Sequence, residues 1–535
     1  MNKLTMTLEQ KIGQFFFPAV FINDTEENIQ ATEALIRNHN IGGLTFFHSR
    51  ASAATNYESK RKVVLNDDSY SKLKELIIRY QKCAPTPLLM SIDAEWGLAM
   101  RIEKTPQYPY AITLGALPES EIDLVYEVGK QIGFDLKAAG IQYNLAPLAD
   151  INNNPDNPVI GYRSFGESKE KVALFANAYL KGMSDAGILG CLKHFPGHGN
   201  TNVDSHLGLP ILNENLEQLM NNELYPFIKG IENKVDSIMI GHLAVPALND
   251  GKNTSATLSK NIIENLLRNQ LGFEGLVISD ALNMKSVSDL YQTKGQLEWE
   301  AFNAGNDILC FAENVTEGIQ TILNNTTTER IEESFARIWK FKEKVGILNG
   351  NNQFPDETNA SLDFTISTEL NRKIAESCLT KVKSDSIPFR IQQAAQNKSV
   401  AQLSIYKDSF ATKVLPSLQA PIFSITAENP IDFKETLNQY DTLLISLFVP
   451  KAKPLNHFEI ETAVIQYLGE LLATKNCVLY VFGNPYALQV LPNLALAKEI
   501  VMAYQDFDVF QEVAAQQFIH NSVCKGQLPV NIKNL

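Results

Sequence analysis

The sequence predicts an α/β protein, an N-terminal (β/α)8 barrel of the TIM type followed by a doubly wound α/β sandwich domain. Eight short apolar runs alternate with helical patterns over the first two thirds of the 535 residues. Continuous apolar runs, unlike alternating ones, mark strands buried on both faces of a parallel sheet. Ionisable side chains gather where those runs end, as they do at the C-terminal face of a barrel.

The runs are 15–20, 43–47, 87–93, 141–148, 188–194, 237–243, 276–282 and 307–311. Between them lie segments of helical period, among them 121–139, 171–186, 216–231 and 290–304. A helix over 328–345 ends the barrel, so the catalytic domain is expected over 1–347. Residues 348–365 read as a linker, rich in Asn and Asp and punctuated by Gly350 and Pro355. The second domain is expected over 366–535, opening with a helix at 367–383. Strands follow at 400–406, 421–426, 442–448, 477–483 and 499–504, with helices at 458–474 and 509–520. Five strands with crossovers suit an open, doubly wound sheet. Gly483-Asn484-Pro485 follows a strand, but without Gly-x-Gly-x-x-Gly it gives no support to a nucleotide site.

Forty-seven basic residues stand against 60 acidic ones, a net charge of -13. That balance, without basic clusters, disfavours a nucleic-acid partner. The six cysteines lie far apart and read as reduced core residues. The first residues lack an apolar secretory region, and no run approaches the ~18 residues of a membrane span. These features predict a cytoplasmic protein without a membrane partner, monomeric or weakly homo-oligomeric.

The most informative stretch is Lys193-His194-Phe195-Pro196-Gly197-His198-Gly199-Asn200-Thr201-Asn202-Val203-Asp204-Ser205-His206. Pro196 and two glycines exclude an immediate helix after the apolar run. Five ionisable side chains beside a buried strand point to an active-site edge rather than a plain surface turn. Asp204 and His206 are two apart, so in an extended segment they point the same way, and the carboxylate can orient the imidazole. The spacing equally suits Asp204 as a turn residue with His206 simply exposed. Asp280 ends the run 276–282, where a charge needs a partner or a role, although Asp is also a common helix N-cap.

The motif Lys-His-Phe-Pro-Gly-His-Gly at 193–199, followed by Asp-Ser-His at 204–206 and Leu209-Pro210, resembles glycoside hydrolase family 3. Within it, the pattern is similar to the β-N-acetylglucosaminidase branch. Gly-Phe-Glu-Gly-Leu-Val-Ile-Ser-Asp at 272–280 resembles the family's nucleophile strand. The resemblance covers nearly the whole chain, since the family commonly carries a second α/β domain. It implies a retaining hydrolase that releases terminal, non-reducing β-linked N-acetylglucosamine and uses no cofactor or metal. Asp280 is the implied nucleophile, and the Asp204–His206 dyad the acid/base. Asp93, in Ile-Asp-x-Glu, Arg163, in Arg-Ser-Phe-Gly, and Lys193 with His194 are the implied sugar-binding residues. His242, in Gly-His-Leu-x-x-Pro, matches as a supporting residue. The implied substrate is a small carbohydrate, with a muropeptide fragment among the candidates. There are departures: Ala94-Glu95-Trp96-Gly97-Leu98 stands where the family has Gln-Glu-Gly-Gly-Arg, and Asn200 replaces an aspartate.

Three other readings compete. His194, His198 and His206 are candidate metal ligands, but Pro196 and Gly197 break the helix that an i, i+4 zinc pair needs. A histidine acid/base repels phosphate less than a glutamate does, so a phosphorylase on the same scaffold is an alternative, as is a β-glucosidase. A non-catalytic sugar-binding protein is the third.

Overall fold

The computed structural model describes residues 3–49, 65–201, 208–351, 354–355, 362–384, 399–426 and 434–535. The chain forms two compact units. The first comprises Met1–Tyr108, Val125–Ile151 and Val172–Phe364, and the second Pro109–Leu124, Asn152–Lys171 and Thr365–Leu535. The sequence placed 109–124 and 152–171 inside the first domain; they group instead with the second unit. Within that unit, Gln505 donates to the Thr113 hydroxyl at 2.8 Å, and the Tyr486 hydroxyl donates to Glu167 at 2.7 Å. Gly115 lies so close to the Phe165 carbonyl that a methyl group there would sit 1.9 Å from its oxygen.

The strands of the first unit are β1 (Phe16–Phe17), β2 (Ala19–Asn23), β3 (Gly43–Ser49), β4 (Leu89–Ile92), β5 (Tyr143–Asn144), β6 (Cys191–Phe195), β7 (Ser237–Ile240), β8 (Leu276–Ser279) and β9 (Leu309–Cys310). All pair in parallel, as β2-β3-β4-β5, β6-β7-β8 and β1-β9. Single parallel bridges join Tyr143 to Leu189 and Ile278 to Ile308. Only Pro18, which has no N–H to give a ladder, separates β1 from β2, and its carbonyl accepts from Thr45 at 3.1 Å. β4, β6, β7 and β8 are buried along their whole length. Each buried Ile, Leu, Val or Phe contributes about 1.5–3 kcal/mol, so continuous apolar runs are what this sheet demands.

Charges inside such a sheet are confined to strand ends. Before β9, the fully buried Asp307 bonds Arg268 at 2.6 Å, Arg337 at 2.9 Å, Ser334 at 2.6 Å and the Val277 backbone N–H at 3.0 Å. Burial pushes its carboxyl up, but Arg268 and Arg337 outweigh that and hold it low. Also before the strands, Lys342 is 0 % exposed and donates to Gln14 Oε1 and the Pro87 carbonyl, both at 2.7 Å. These contacts pin the helix Thr328–Lys344 against the N-terminal edge of the sheet.

The second unit holds a mixed sheet of β10 (Thr380–Ser384), β11 (Val400–Ile405), β12 (Ile422–Ile425), β13 (Thr442–Phe448), β14 (Asn476–Phe482) and β15 (Glu499–Met502). Its order is β10-β15-β14-β13-β11-β12, parallel except for β10, which runs antiparallel on the edge. The expected helix 367–383 is observed as Phe364–Cys378, and its last residues become β10. Thr-Lys-Val-Lys-Ser alternates as a strand does, and its lysines suit an exposed edge. The expected helix 458–474 begins only at Thr462, because residues 456–459 take left-handed backbone with φ of 49, 55, 61 and 59°. A local bond from Asn456 Nδ2 to Glu459 Oε1 at 3.0 Å competes there with helix formation. Likewise 290–304 is helical only from Gln296, after the left-handed Gly295, and 216–231 breaks into Leu216–Asn221 and Tyr225–Glu232 around Pro226.

Burial pushes the Lys342 ammonium down to about 7 in the fold, against 10.5 for the ordinary side chain. Between those values the unfolded chain binds more protons than the native one, so stability rises with pH. The burial cost is present in full below pH ~7 and fades toward pH ~10.5. Urea unfolding at pH 7, 8 and 9 will show wild type gaining stability over Lys342→Met by at most about 1.4 kcal/mol per pH unit. Parallel pH profiles for the two proteins would refute it.

Candidate active site

Ionisable side chains of the first unit collect at the opposite, C-terminal edge. Asp93 follows β4, Asp150 lies beyond β5, Lys193 and His194 end β6, His242 follows β7 and Asp280 directly follows β8. Parallel pairing places these ends together, with adjacent strands about 4.8 Å apart.

Lys193 is 2 % exposed and could not stay charged there alone. Its Nζ donates to Asp93 Oδ1 and Glu95 Oε1, each at 2.9 Å. Arg101 Nη2 reaches the other Asp93 oxygen at 3.2 Å, while its guanidinium lies 3.8 Å from the Phe47 ring centroid. Burial pushes the Asp93 carboxyl up, but the Lys193 and Arg101 charges overcome that and hold it below its ordinary value. Two carboxylates and two cations thus form a balanced cluster.

The fully buried Asp150 organises the two histidines of the next loop. It accepts from the His194 N–H at 3.1 Å, from His194 Nδ1 at 2.8 Å and from the His198 N–H at 2.7 Å. A carboxylate only accepts, so Nδ1 of His194 carries the proton and Nε2 is turned away from Asp150. The His198 ring stands 6.0 Å from that of His194, with Nδ1 2.8 Å from the Thr201 hydroxyl. Burial, reinforced by the His194 charge, lowers the His198 pKa, so His198 is neutral.

Asp280 is partly exposed, and its Oδ1 accepts from the Ala281 N–H at 2.8 Å. The fully buried His242 donates from Nε2 to the Ala281 carbonyl at 2.9 Å, and its Nδ1 lies 2.8 Å from the Thr257 hydroxyl. It therefore grips the peptide just after Asp280, with both ring nitrogens engaged. Burial pushes the Cys310 thiol up, and Asp93 and Asp280 both add to that rise through space.

Asp93, Lys193, His194 and Asp280 are brought together in the first unit. Arg163 belongs to the second unit, on the turn Gly161–Arg163, with its guanidinium donating to the Val159 carbonyl at 3.1 Å. Asp204 and His206 lie outside the described residues. Sequence reasoning did not single out Arg101, Glu95, Asp150 or Thr257. Asp150 carried a usable signal, an acid just past the apolar run 141–148. Arg101 did not, because it returns to Asp93 only through the turn at Gly97, whose φ is 92°. Leu98, where the family pattern has arginine, is fully buried. Among the described residues no group of three or more His, Cys, Asp or Glu could hold a metal ion, and no helix is long and apolar enough to cross a membrane.

Removing Asp150 strands three buried donors. Asp150→Ala is expected to cost about 3–5 kcal/mol, lowering the thermal midpoint of a unit this large by about 5 °C. A loss under about 1 kcal/mol would show that Asp150 does not hold the loop.

Comparison with known proteins places this arrangement. Residues 7–341 match the glycosyl hydrolase family 3 N terminal domain. Beta-hexosaminidase A of Pseudoalteromonas piscicida is 31% identical over 393 residues, 66% of this chain and 62% of that protein, so the match spans less than two thirds of the relative. The beta-hexosaminidase of Xylella fastidiosa strain M12 is 33% identical over 264 residues, 48% of this chain and 77% of that one. Among solved structures, a glycoside hydrolase family 3 beta-N-acetylglucosaminidase from Paenibacillus sp. str. FPU-7 superposes with a TM-score of 0.78 at 25% identity, covering 99% of each chain. With the family domain matched across more than half of its 535 residues, this chain belongs to glycosyl hydrolase family 3.

Proposed function

We propose that the protein is a retaining glycoside hydrolase that removes terminal, non-reducing β-linked N-acetylglucosamine through a covalent intermediate on Asp280. The observation that carries the proposal is that Asp280 directly follows β8 at the same strand edge as the Lys193–Asp93 ion pair and His194. The beta-hexosaminidase relatives and the N-acetylglucosaminidase likeness support the choice of sugar. The proposal extends to cell-wall fragments met in the cytoplasm, as the sequence reading expects.

In the first step an Asp280 oxygen attacks the anomeric carbon while the bond to the leaving oxygen breaks, and protonated His206 gives that oxygen its proton. In the second step neutral His206 takes a proton from water, the water oxygen attacks the anomeric carbon and Asp280 leaves, so configuration is retained. Asp204 holds the imidazole through both steps. Asp93, kept anionic, accepts from sugar hydroxyls, and Lys193, Arg101 and His194 donate to them. Arg163 is assigned to sugar binding by its motif alone. The parallel ladders are read as one closed eight-stranded ring, with β1 and β2 counted as a single strand. The bridges from β5 to the run before β6 and from β8 to β9, with β1 on β9, support that reading. The first domain is taken as 1–347, with 348–365 as linker.

A panel of aryl glycosides tests the proposal. Turnover is expected on the β-N-acetylglucosaminide and far less on the β-glucoside. In phosphate buffer the product should be free sugar, and release of sugar 1-phosphate would make the enzyme a phosphorylase. Asp280→Ala is expected to lower kcat by on the order of 10⁴-fold and to abolish covalent labelling by a fluorosugar inactivator. Labelling of another residue in the wild type would overturn the assignment.

A further inference from the structure

We propose that the His48–Glu103 pair is a positioning element that presents Arg101 to the sugar site. The inference rests on the glycosidase reading above and concerns residues that the motifs do not touch.

The turn that leaves β4 runs from Asp93 past Arg101 to Glu103 and returns to the end of β3. There it is gripped twice. The Arg101 guanidinium stacks 3.8 Å from the Phe47 ring centroid, and Glu103 Oε1 lies 2.5 Å from Nε2 of His48. Phe47 and His48, neighbours near the end of β3, thus hold the returning chain at two of its residues. His48 is 8 % exposed, which strengthens a charge-assisted bond relative to water. Glu103 is tied further: Oε1 accepts from the Asn66 N–H at 3.1 Å, and its own N–H donates to the Ser69 hydroxyl at 3.0 Å. Burial pushes its carboxyl up, but the bonds from Ser69 and His48 overcome this and keep it a carboxylate. Asn23, at the end of β2, places Nδ2 3.1 Å from the same His48 nitrogen.

Arg101 needs this support. It makes one bond to Asp93, at 3.2 Å, and its Nε is buried with no partner among the described residues. An arginine held by a single bond and a stacking face has other rotamers within reach, and each of them takes one of two cations away from Asp93. The loss would fall on sugar binding. Asp280 and His242, at the ends of other strands, bond to Ala281 and Thr257, so the chemical step is expected to be left alone.

The test is a double-mutant cycle on an aryl β-N-acetylglucosaminide, reading kcat and KM separately. His48→Leu is expected to raise KM about tenfold, equivalent to about 1.4 kcal/mol, with kcat within about twofold. His48→Gln keeps a donor at the position of Nε2 and should restore KM to within about threefold of wild type. Arg101→Ala should raise KM further. In that background His48→Leu should add less than about twofold, because its effect passes through Arg101. Additive penalties, or a fall in kcat with unchanged KM, would make the pair a fold contact and overturn the proposal. Glu103→Gln, which leaves His48 in place, repeats the test if His48→Leu lowers the thermal midpoint. A crystal structure of His48→Gln and one of His48→Leu read the same claim without turnover. Arg101 beyond about 4 Å from Asp93 in the leucine variant alone supports it, and an unchanged pair overturns it. Absence of wild-type turnover on every aryl glycoside would instead remove the glycosidase reading and leave the crystallographic test standing.

Discussion

A lysine buried at the end of β6 is the constraint around which the candidate site is built. An ammonium with 2 % exposure loses its hydration, and only close anions offset that cost. Asp93 and Glu95, each 2.9 Å away, supply them from the turn after β4. The pairing links two strand ends that are not neighbours in the ladder, since β5 stands between β4 and β6. Asp93 then gains Arg101 as a second cation, and the two together hold its carboxyl below its ordinary value. Its acceptor character is therefore built into the fold.

The two edges of the sheet solve the same electrostatic problem to different ends. At the N-terminal edge Asp307 is saturated by arginines, a serine and a backbone N–H, and Lys342 by two carbonyl oxygens. Those charges bind helix Thr328–Lys344 to the strands. At the C-terminal edge the charges hold one another in loops, and Asp280 keeps partial exposure with its neighbouring peptide gripped by His242. The charges that brace the helix and the candidate site thus lie at opposite ends of the same buried strands, the division expected of parallel α/β architecture.

The sequence showed the strands well because strands buried on two faces leave no polar positions to blur the pattern. It also placed Asp93, Lys193, His194 and Asp280 at the C-terminal edge of the sheet, because each sits within an apolar run or a residue or two from its end. It misjudged the helix over 367–383, whose tail is the edge strand β10: a short alternating segment fits either state until its partner β15 is known. The left-handed stretch at 456–459 carries no glycine to announce it. Arg101 and Asp150 act through contacts 8 and 44 residues away in sequence, distances at which no spacing rule applies. The segments 109–124 and 152–171 join the second unit through side-chain bonds that periodicity does not encode.

The commitments of these carboxylates also bear on how the leaving group is protonated. A proton donor must still carry its proton near neutral pH. Asp93 is held anionic by two cations. Glu95 answers the second half of the buried ammonium. Asp150 accepts three N–H bonds from the loop after β6. His242 engages both ring nitrogens, and His198 is buried and neutral. The carboxylates at the ends of β4 and β5 are therefore all tied to binding or to holding the loop, and Asp280 must be ionised to attack. The family resemblance implies His206, steadied by Asp204, as the group that supplies the proton these carboxylates are not free to give.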